Sequence, residues 1–379
     1  MLLTRRSTRG IPRLLTTRSR FTITPLRFSS STTSTSASAS EIASSFLSRF
    51  QSLGPQTRTQ TLDANQLRLL SLTLNRPSLF PDSASLSSTS SASNTAPATD
   101  LEDGTPLPAG YHLVYFTPAF LETELGADGT DTSYNPAHPF TRRMWAGGEV
   151  SWPRDSRGRA NPLRVGQRVS ETTRVLSAEA KTIRKTGEEM VVVGVEKSFG
   201  NGEGVAVVDR RNWVFRKALP PPSPSSTSAA QNLPPPNPPS GAPATSVTTT
   251  SKDGKQHTRT ITQTPATLFR FSALTFNPHK IHYSLPWARD VEGHRDIVVH
   301  GPLNLISILD LWRDLRAGSG SEEDLDRFLP ERISYRATSP IYAGDEYRVV
   351  LNEEDEGKSN VEIITPGGNI GMKAEVFGV

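Results

Sequence analysis

An α+β fold is predicted: two similar units, each an antiparallel sheet bent around one helix. Three observations carry this. A Pro-rich segment splits the folded chain, a short repeat falls at the same point of both halves, and one helical run is apolar on most sides.

Residues 1–40 hold Arg5, Arg6, Arg9, Arg13, Arg18, Arg20 and Arg27, many Ser and Thr, and no acid. Positive charge with interspersed Leu, Ile and Phe is the composition of a mitochondrial targeting peptide, so this segment is expected to be a matrix signal. Glu41–Asn75 reads as helical, with Phe46, Leu47, Phe50, Leu67 and Leu70 at helix-like spacings. Pro77–Pro108 reads as a Ser-rich loop and Tyr111–Phe120 as a strand. Pro162–Val169 (PLRVGQRV) matches Pro340–Tyr347 (PIYAGDEY), each a turn with glycine that opens a strand. Strand-like runs follow both copies: Glu189–Ser198 and Val205–Arg216 in the first half, then Glu346–Leu351, Asn360–Thr365 and Lys373–Val379 in the second. Between the halves, ten of the thirty prolines lie from Pro220 to Pro243, and such a stretch favours an extended linker. Leu303–Arg316 is a helix apolar on most sides, which predicts burial. One buried helix wrapped by an antiparallel meander is the plan of a hot-dog fold, and two copies make a double hot-dog. The expected organisation is a leader at 1–40, a degenerate N-terminal hot-dog at 41–217, a linker at 218–255 and a catalytic C-terminal hot-dog at 256–379.

Composition narrows the function. There is no cysteine, which excludes disulfides, thiolate nucleophiles and cysteine-ligated metals. The seven leader arginines leave 35 basic against 38 acidic residues in the remainder, so the charge falls from +4 for the chain to −3 for its body. That balance does not support a nucleic-acid face. No apolar run is long enough for a membrane span; Leu303–Trp312 is short and contains Asp310.

The chemistry concentrates in Phe269–Tyr283 (FRFSALTFNPHKIHY) and Val298–Leu303 (VVHGPL); four of the seven histidines lie between His279 and His300. An imidazole suits proton transfer near neutral pH. Asn277 can orient a water or hydroxyl but cannot act as a base. Gly301 stands where a buried helix begins, with Pro302 suited to the first turn; its free N–H and the helix dipole can polarise a carbonyl. Water addition or elimination needs these parts: a proton shuttle, which a histidine of the first stretch can supply, a holder of oxygen such as Asn277, and an enolate-stabilising N–H from Gly301 or Leu303. His279 and His300 are supporting candidates. The His279/His282 pair also raises a metal reading, but no spacing fixes a third ligand, and neither metal nor cofactor is expected. Arg142, Arg143 and Lys280 are weak candidates for the phosphates of a thioester arm. Met144 and Trp145 read as core packing, and Gly147-Gly148 as a turn.

Phe271 through Tyr283, together with Val-Val-His-Gly-Pro-Leu at 298–303, resembles the MaoC-like hydratase/dehydratase superfamily, and within it the mitochondrial 3-hydroxyacyl-thioester dehydratase type 2 family. Arg142–Gly148 and Pro162–Gly166 extend the resemblance to the first half. The superfamily motif has Asp and His five residues apart; here His282 keeps the histidine and Asn277 stands for the aspartate. The resemblance implies one site for the paired units, within one chain or in a homodimer. It implies a (3R)-3-hydroxyacyl-thioester dehydratase, acting on acyl carrier protein thioesters in mitochondrial fatty-acid synthesis. Two alternatives stay open: a coenzyme A ester hydratase for a small branched diacid such as mesaconyl coenzyme A, and a non-catalytic thioester-binding protein.

Overall fold

The computed structural model describes residues 37–86, 101–219, 233–238, 245–316, 325–354 and 357–378. The leader therefore lies outside the described residues, as do parts of the Ser-rich loop and the Pro-rich linker.

The expected helix over Glu41–Asn75 is two helices with a strand between them. α1 (Ala39–Leu53) starts in a capping box, in which Ser38 Oγ accepts from Glu41 N and the Glu41 carboxylate accepts from Ser38 N. It stops at Gly54, whose φ of 67° leaves helical space, and Pro55 follows. β1 (Gln56–Thr61) is QTRTQT, with Thr at every second position, a pattern that suits a strand. α2 (Ala64–Thr73) begins at Asp63, whose carboxylate accepts from Gln66 N. Tyr111–Phe120 is also not a strand. Tyr111–Val114 is a 3-10 turn, because this run buries its side chains against the central helix instead of pairing its backbone. The Tyr111 hydroxyl lies 3.4 Å from both Asp310 and Arg313.

The remaining strands are β2 (Arg142–Ser151), β3 (Arg168–Thr182), β4 (Glu189–Asn201), β5 (Gly204–Arg216), β6 (Thr245–Thr250), β7 (Gln256–Thr262), β8 (Arg332–Ala337), β9 (Glu346–Glu353), β10 (Lys358–Ile364) and β11 (Ile370–Phe377). β6 falls inside the segment assigned to the linker by composition; its Thr and Val residues pair with β7. The Pro-rich segment also docks: Asn237 donates to Ala343 O and Asp345, and its own N–H reaches Asp296.

All strands join one antiparallel sheet in the order β1-β3-β4-β5-β2-β8-β11-β10-β9-β7-β6. The sequence repeat explains this order. β1-β3-β4-β5-β2 and β7-β9-β10-β11-β8 are the same five-strand path, joined at β2 and β8. The two matched glycines repeat each other in detail. Gly166 N–H donates to Leu62 O just before α2, and Gly344 N–H donates to Gln263 O just before α3 (Pro265–Leu274). This is the double hot-dog fold. Gly147-Gly148, expected as a turn, lies within β2 at this junction. A Cβ on Gly148 would meet Arg210 O at 2.0 Å, so no side chain fits between the paired strands.

α4 (Gly301–Asp314) is the central helix of the C-terminal unit, and every residue from Leu303 to Arg313 is buried. Its two buried charges neutralise each other: Arg313 Nη2 is 2.8 Å from Asp310 Oδ1. Arg76 and Arg259 both reach Asp314 at its end. Asp310→Ala would leave the Arg313 guanidinium enclosed without its nearest carboxylate. The expected loss is about 3–5 kcal/mol in urea unfolding; a loss below about 1 kcal/mol would show that the pair contributes little.

Candidate active site

α3 is a helix the residue pattern did not single out, although Thr264-Pro265 is a good start signal: Thr264 Oγ1 accepts from Thr267 N and Pro265 needs no acceptor. It delivers Ser272 to the interior and hands over to a tight segment. There Asn277 N–H donates to Ser272 O, and Asn277 Oδ1 accepts from His279 N at 3.3 Å. Lys280–His282 forms a 3-10 turn. Val298 clamps this turn from the other side: its N–H donates to Ile281 O, and its carbonyl accepts from His282 Nδ1 at 2.7 Å. Val299 N–H donates to Ile341 O, so the histidine segment, the entry to α4 and the second repeat turn are laced together.

His279, His282 and His300 form one buried cluster. The rings of His282 and His300 stack at 3.6 Å between centroids, 18° from parallel, and His279 meets His282 edge-on at 5.4 Å. His300 is the N-cap of α4, so His282 lies against the residue that precedes Gly301. His300 makes no side-chain cap bond, and Nε2 faces Ser272 Oγ at 2.9 Å. Its buried Nδ1 has no hydrogen-bond partner among the described residues, a state that suits a bare lone pair better than an N–H. The helix therefore begins with its N–H groups unclaimed by a side chain. Gly301 opens it and Pro302, second in the helix, contributes no N–H.

Burial holds these imidazoles neutral. It pushes His282 down to about 3, with His279 adding to the effect and the Val298 carbonyl opposing it. His279 is likewise lowered to about 3 by burial and then by Arg143. His300 is lowered by burial and by His282. With Nδ1–H committed to Val298, His282 presents an unprotonated Nε2. Below pH 6.5 the unfolded chain binds protons that the folded cluster refuses until about pH 3, so stability falls as pH drops through that window. In urea unfolding between pH 7 and 4.5, His282→Asn is expected to lose about 2 kcal/mol less than the unmodified chain. Equal losses would mean that His282 becomes charged in the folded protein.

The cluster lines a cavity of about 1630 Å³ that also includes Asn277, Gly301 and the candidate arm residues. Those three cations are already engaged. Arg142 pairs with Glu292 at 3.3 Å, Arg143 with Asp131, and Lys280 Nζ donates to Ala127 O at 2.7 Å. The N-terminal half supplies walls that sequence reasoning missed. Asp128 lies 3.8 Å from His279 Nε2, and its carbonyl accepts from Lys280 N. A Cβ on Gly129 would meet Pro278 O at 2.2 Å, so only glycine allows this approach. Trp145, expected as core, covers Gly301: a Cβ there would lie 3.2 Å from the indole Cγ. Met144 is 44% exposed on the cavity wall rather than packed in the core. Asp128 carried no local motif, and Ser272 and Trp145, although inside motif segments, are marked as wall residues only by their spatial partners. Among the described residues no group of three or more His, Cys, Asp or Glu side chains is placed to hold a metal ion.

A double hot-dog with a buried imidazole beside a helix start has the parts that hydro-lyase chemistry on a thioester needs. A model of the hydroxyacyl-thioester dehydratase type 2 family matches residues 110–343, more than half of the chain, and the chain belongs to that family. A mesaconyl-C(4)-CoA hydratase of Chloroflexus aurantiacus is 31% identical over 276 residues, 72% of this chain and 83% of that one. The mitochondrial hydroxyacyl-thioester dehydratase type 2 of Schizosaccharomyces pombe is 26% identical over 253 residues, 66% of this chain and 79% of that one. A MaoC-like dehydratase from Phytophthora capsici shares the fold, with a TM-score of 0.53 at 14% identity over 86% of this chain and 95% of that one.

Proposed function

We propose that the protein interconverts a 3-hydroxyacyl thioester and its trans-2-enoyl thioester, with His282 as the proton shuttle. Nε2 takes the proton from C2. The negative charge that develops on the thioester oxygen is met by the N–H of Gly301 at the start of α4. The C3–O bond then breaks, and the oxygen, held by the Asn277 amide, leaves as water with the proton returned by His282. An imidazole held near a pKa of 3 in the empty cavity is a weak base. The enolate charge forming beside it raises its proton affinity, because opposite charges attract strongly where water is excluded. His279 and His300 are supporting groups that hold the His282 ring.

The observation that carries this reading is the stack of His282 on His300, which brings an imidazole lone pair to the amino end of α4. For the carrier, the arginine-rich leader and the mitochondrial dehydratase among the relatives support acyl carrier protein in the matrix. A second reading, a coenzyme A ester of a short diacid, is supported by the bacterial relative and by charges in the cavity wall. Enoyl-thioester absorbance followed in both directions, with carrier-protein and coenzyme A substrates side by side, tests both. Thermal stabilisation by enoyl thioesters without any absorbance change would mean a thioester-binding protein and would reject catalysis.

A further inference from the structure

The inward face of the N-terminal sheet carries charge where packing alone calls for apolar side chains. On β4 the inward positions are Val191, Val193, Val195, Lys197 and Phe199, all buried. Lys197 thus interrupts an apolar row. Register places Thr173 of β3 and Asp209 of β5 beside it, and Arg211 of β5 opposite Val195. Glu171 shares the row of Phe199. Burying ionised groups costs solvation that mutual attraction rarely offsets in full, so their presence at inward positions is poorly explained by stability.

The charges do not cancel. Two carboxylates, Glu171 and Asp209, hold three cations: the buried Lys197 and Arg211, and Arg58, whose side chain is 41% exposed on the edge strand. Glu171 accepts from Arg58, Lys197 and Thr173. Asp209 binds Arg211, and His112 stands 3.4 Å away. One positive charge is left over. Lys197, 8% exposed, bonds only Glu171 among the described residues, so two of its three N–H bonds have no protein acceptor. Lys197, Arg211 and Glu171 line the same cavity as His282. The Arg211 guanidinium sits 5.0 Å from the centre of the Trp145 ring, which also lies against Gly301 and near Tyr335. One indole therefore separates this charged row from the helix start.

We propose that Lys197 and Arg211 form a carboxylate subsite in the cavity wall, which selects short acyl thioesters bearing a terminal carboxylate. This rests on the hydro-lyase reading and names its substrate class: a 3-hydroxy or 2-enoyl diacid held as a monothioester. The unused ammonium N–H bonds and the surplus charge supply the partner that a carboxylate needs on leaving water. A methyl-ended chain in the same place would leave those two ammonium N–H bonds without an acceptor. Burial pushes the Lys197 ammonium down to about 8, against the pull of Glu171, and a bound carboxylate would reverse that shift.

Calorimetric titration of the full chain with succinyl coenzyme A and butyryl coenzyme A, which are saturated and cannot be hydrated, tests binding. Relative kcat/KM for fumaryl and crotonyl coenzyme A tests turnover. The expected result is at least a tenfold preference for the carboxylate-ended member in both, falling at least tenfold in Lys197→Met. Equal affinity for both saturated esters, or a Lys197→Met loss shared equally by both series, overturns the subsite. If Lys197→Met does not fold, the comparison on the unmodified protein decides. Crotonyl turnover without preference for fumaryl would leave the hydro-lyase reading standing and remove this inference. Absence of turnover with every thioester would remove both.

Discussion

His282→Ala is expected to lower thioester dehydration at least 10²-fold while the protein stays folded. The side chain is buried, stacks on His300, meets His279 edge-on and bonds the Val298 carbonyl. Removing it leaves the start of α4 intact, so substrate still binds and polarisation of the carbonyl survives. Proton removal from C2 is what fails. The sharpest readout is exchange of the C2 protons of butyryl coenzyme A in heavy water, a reaction with no leaving group. Exchange should vanish in His282→Ala together with dehydration. Near-normal turnover in this variant, with an unchanged melting temperature, would reject His282 as the shuttle.

Asn277→Leu is the second large effect, expected at about 10²-fold on dehydration, comparable to loss of one well-placed donor in a preorganised site. Asn277 lines the cavity and its Oδ1 accepts from the N–H of His279, so the Nδ2 donors are the part of the amide left for substrate. Leucine keeps the volume and removes the donors. The two variants separate on proton exchange. Asn277→Leu should retain C2 exchange of butyryl coenzyme A within a few-fold, because that step needs His282 and Gly301 but no departing oxygen. Joint loss of exchange and dehydration would mean that Asn277 acts through the placement of His282 and does not hold the leaving oxygen.

Strands with alternating patterns were readable because their period of two reports one buried face. β4, β5, β9, β10 and β11 lie within a few residues of their expected positions. The buried helix was readable because apolar residues cover most of its circumference. The failures have a common cause. Gln56–Thr61 has no apolar residue to give it a period, and pairs with β3 only because that strand offers an edge. Tyr111–Phe120 has the composition of a strand, but it crosses α4, where buried side chains matter more than backbone pairing. Thr245–Thr250 looked like linker, since a Thr-rich run has no buried face until β7 lies beside it.

The residues by themselves determined the duplicated architecture, the region of the histidine motif and the three groups proposed to carry the reaction, because periodicity and contiguous motifs are local properties. Only the tertiary structure decided that His282 stacks on the residue preceding Gly301, that Trp145 and Asp128 wall the site, and that Lys197 faces the same cavity. The approaches of Trp145 to Gly301 and of Asp128 to His279 join residues more than a hundred positions apart. Sheet register and burial create them, and no local pattern encodes where a strand of one half will meet a helix of the other.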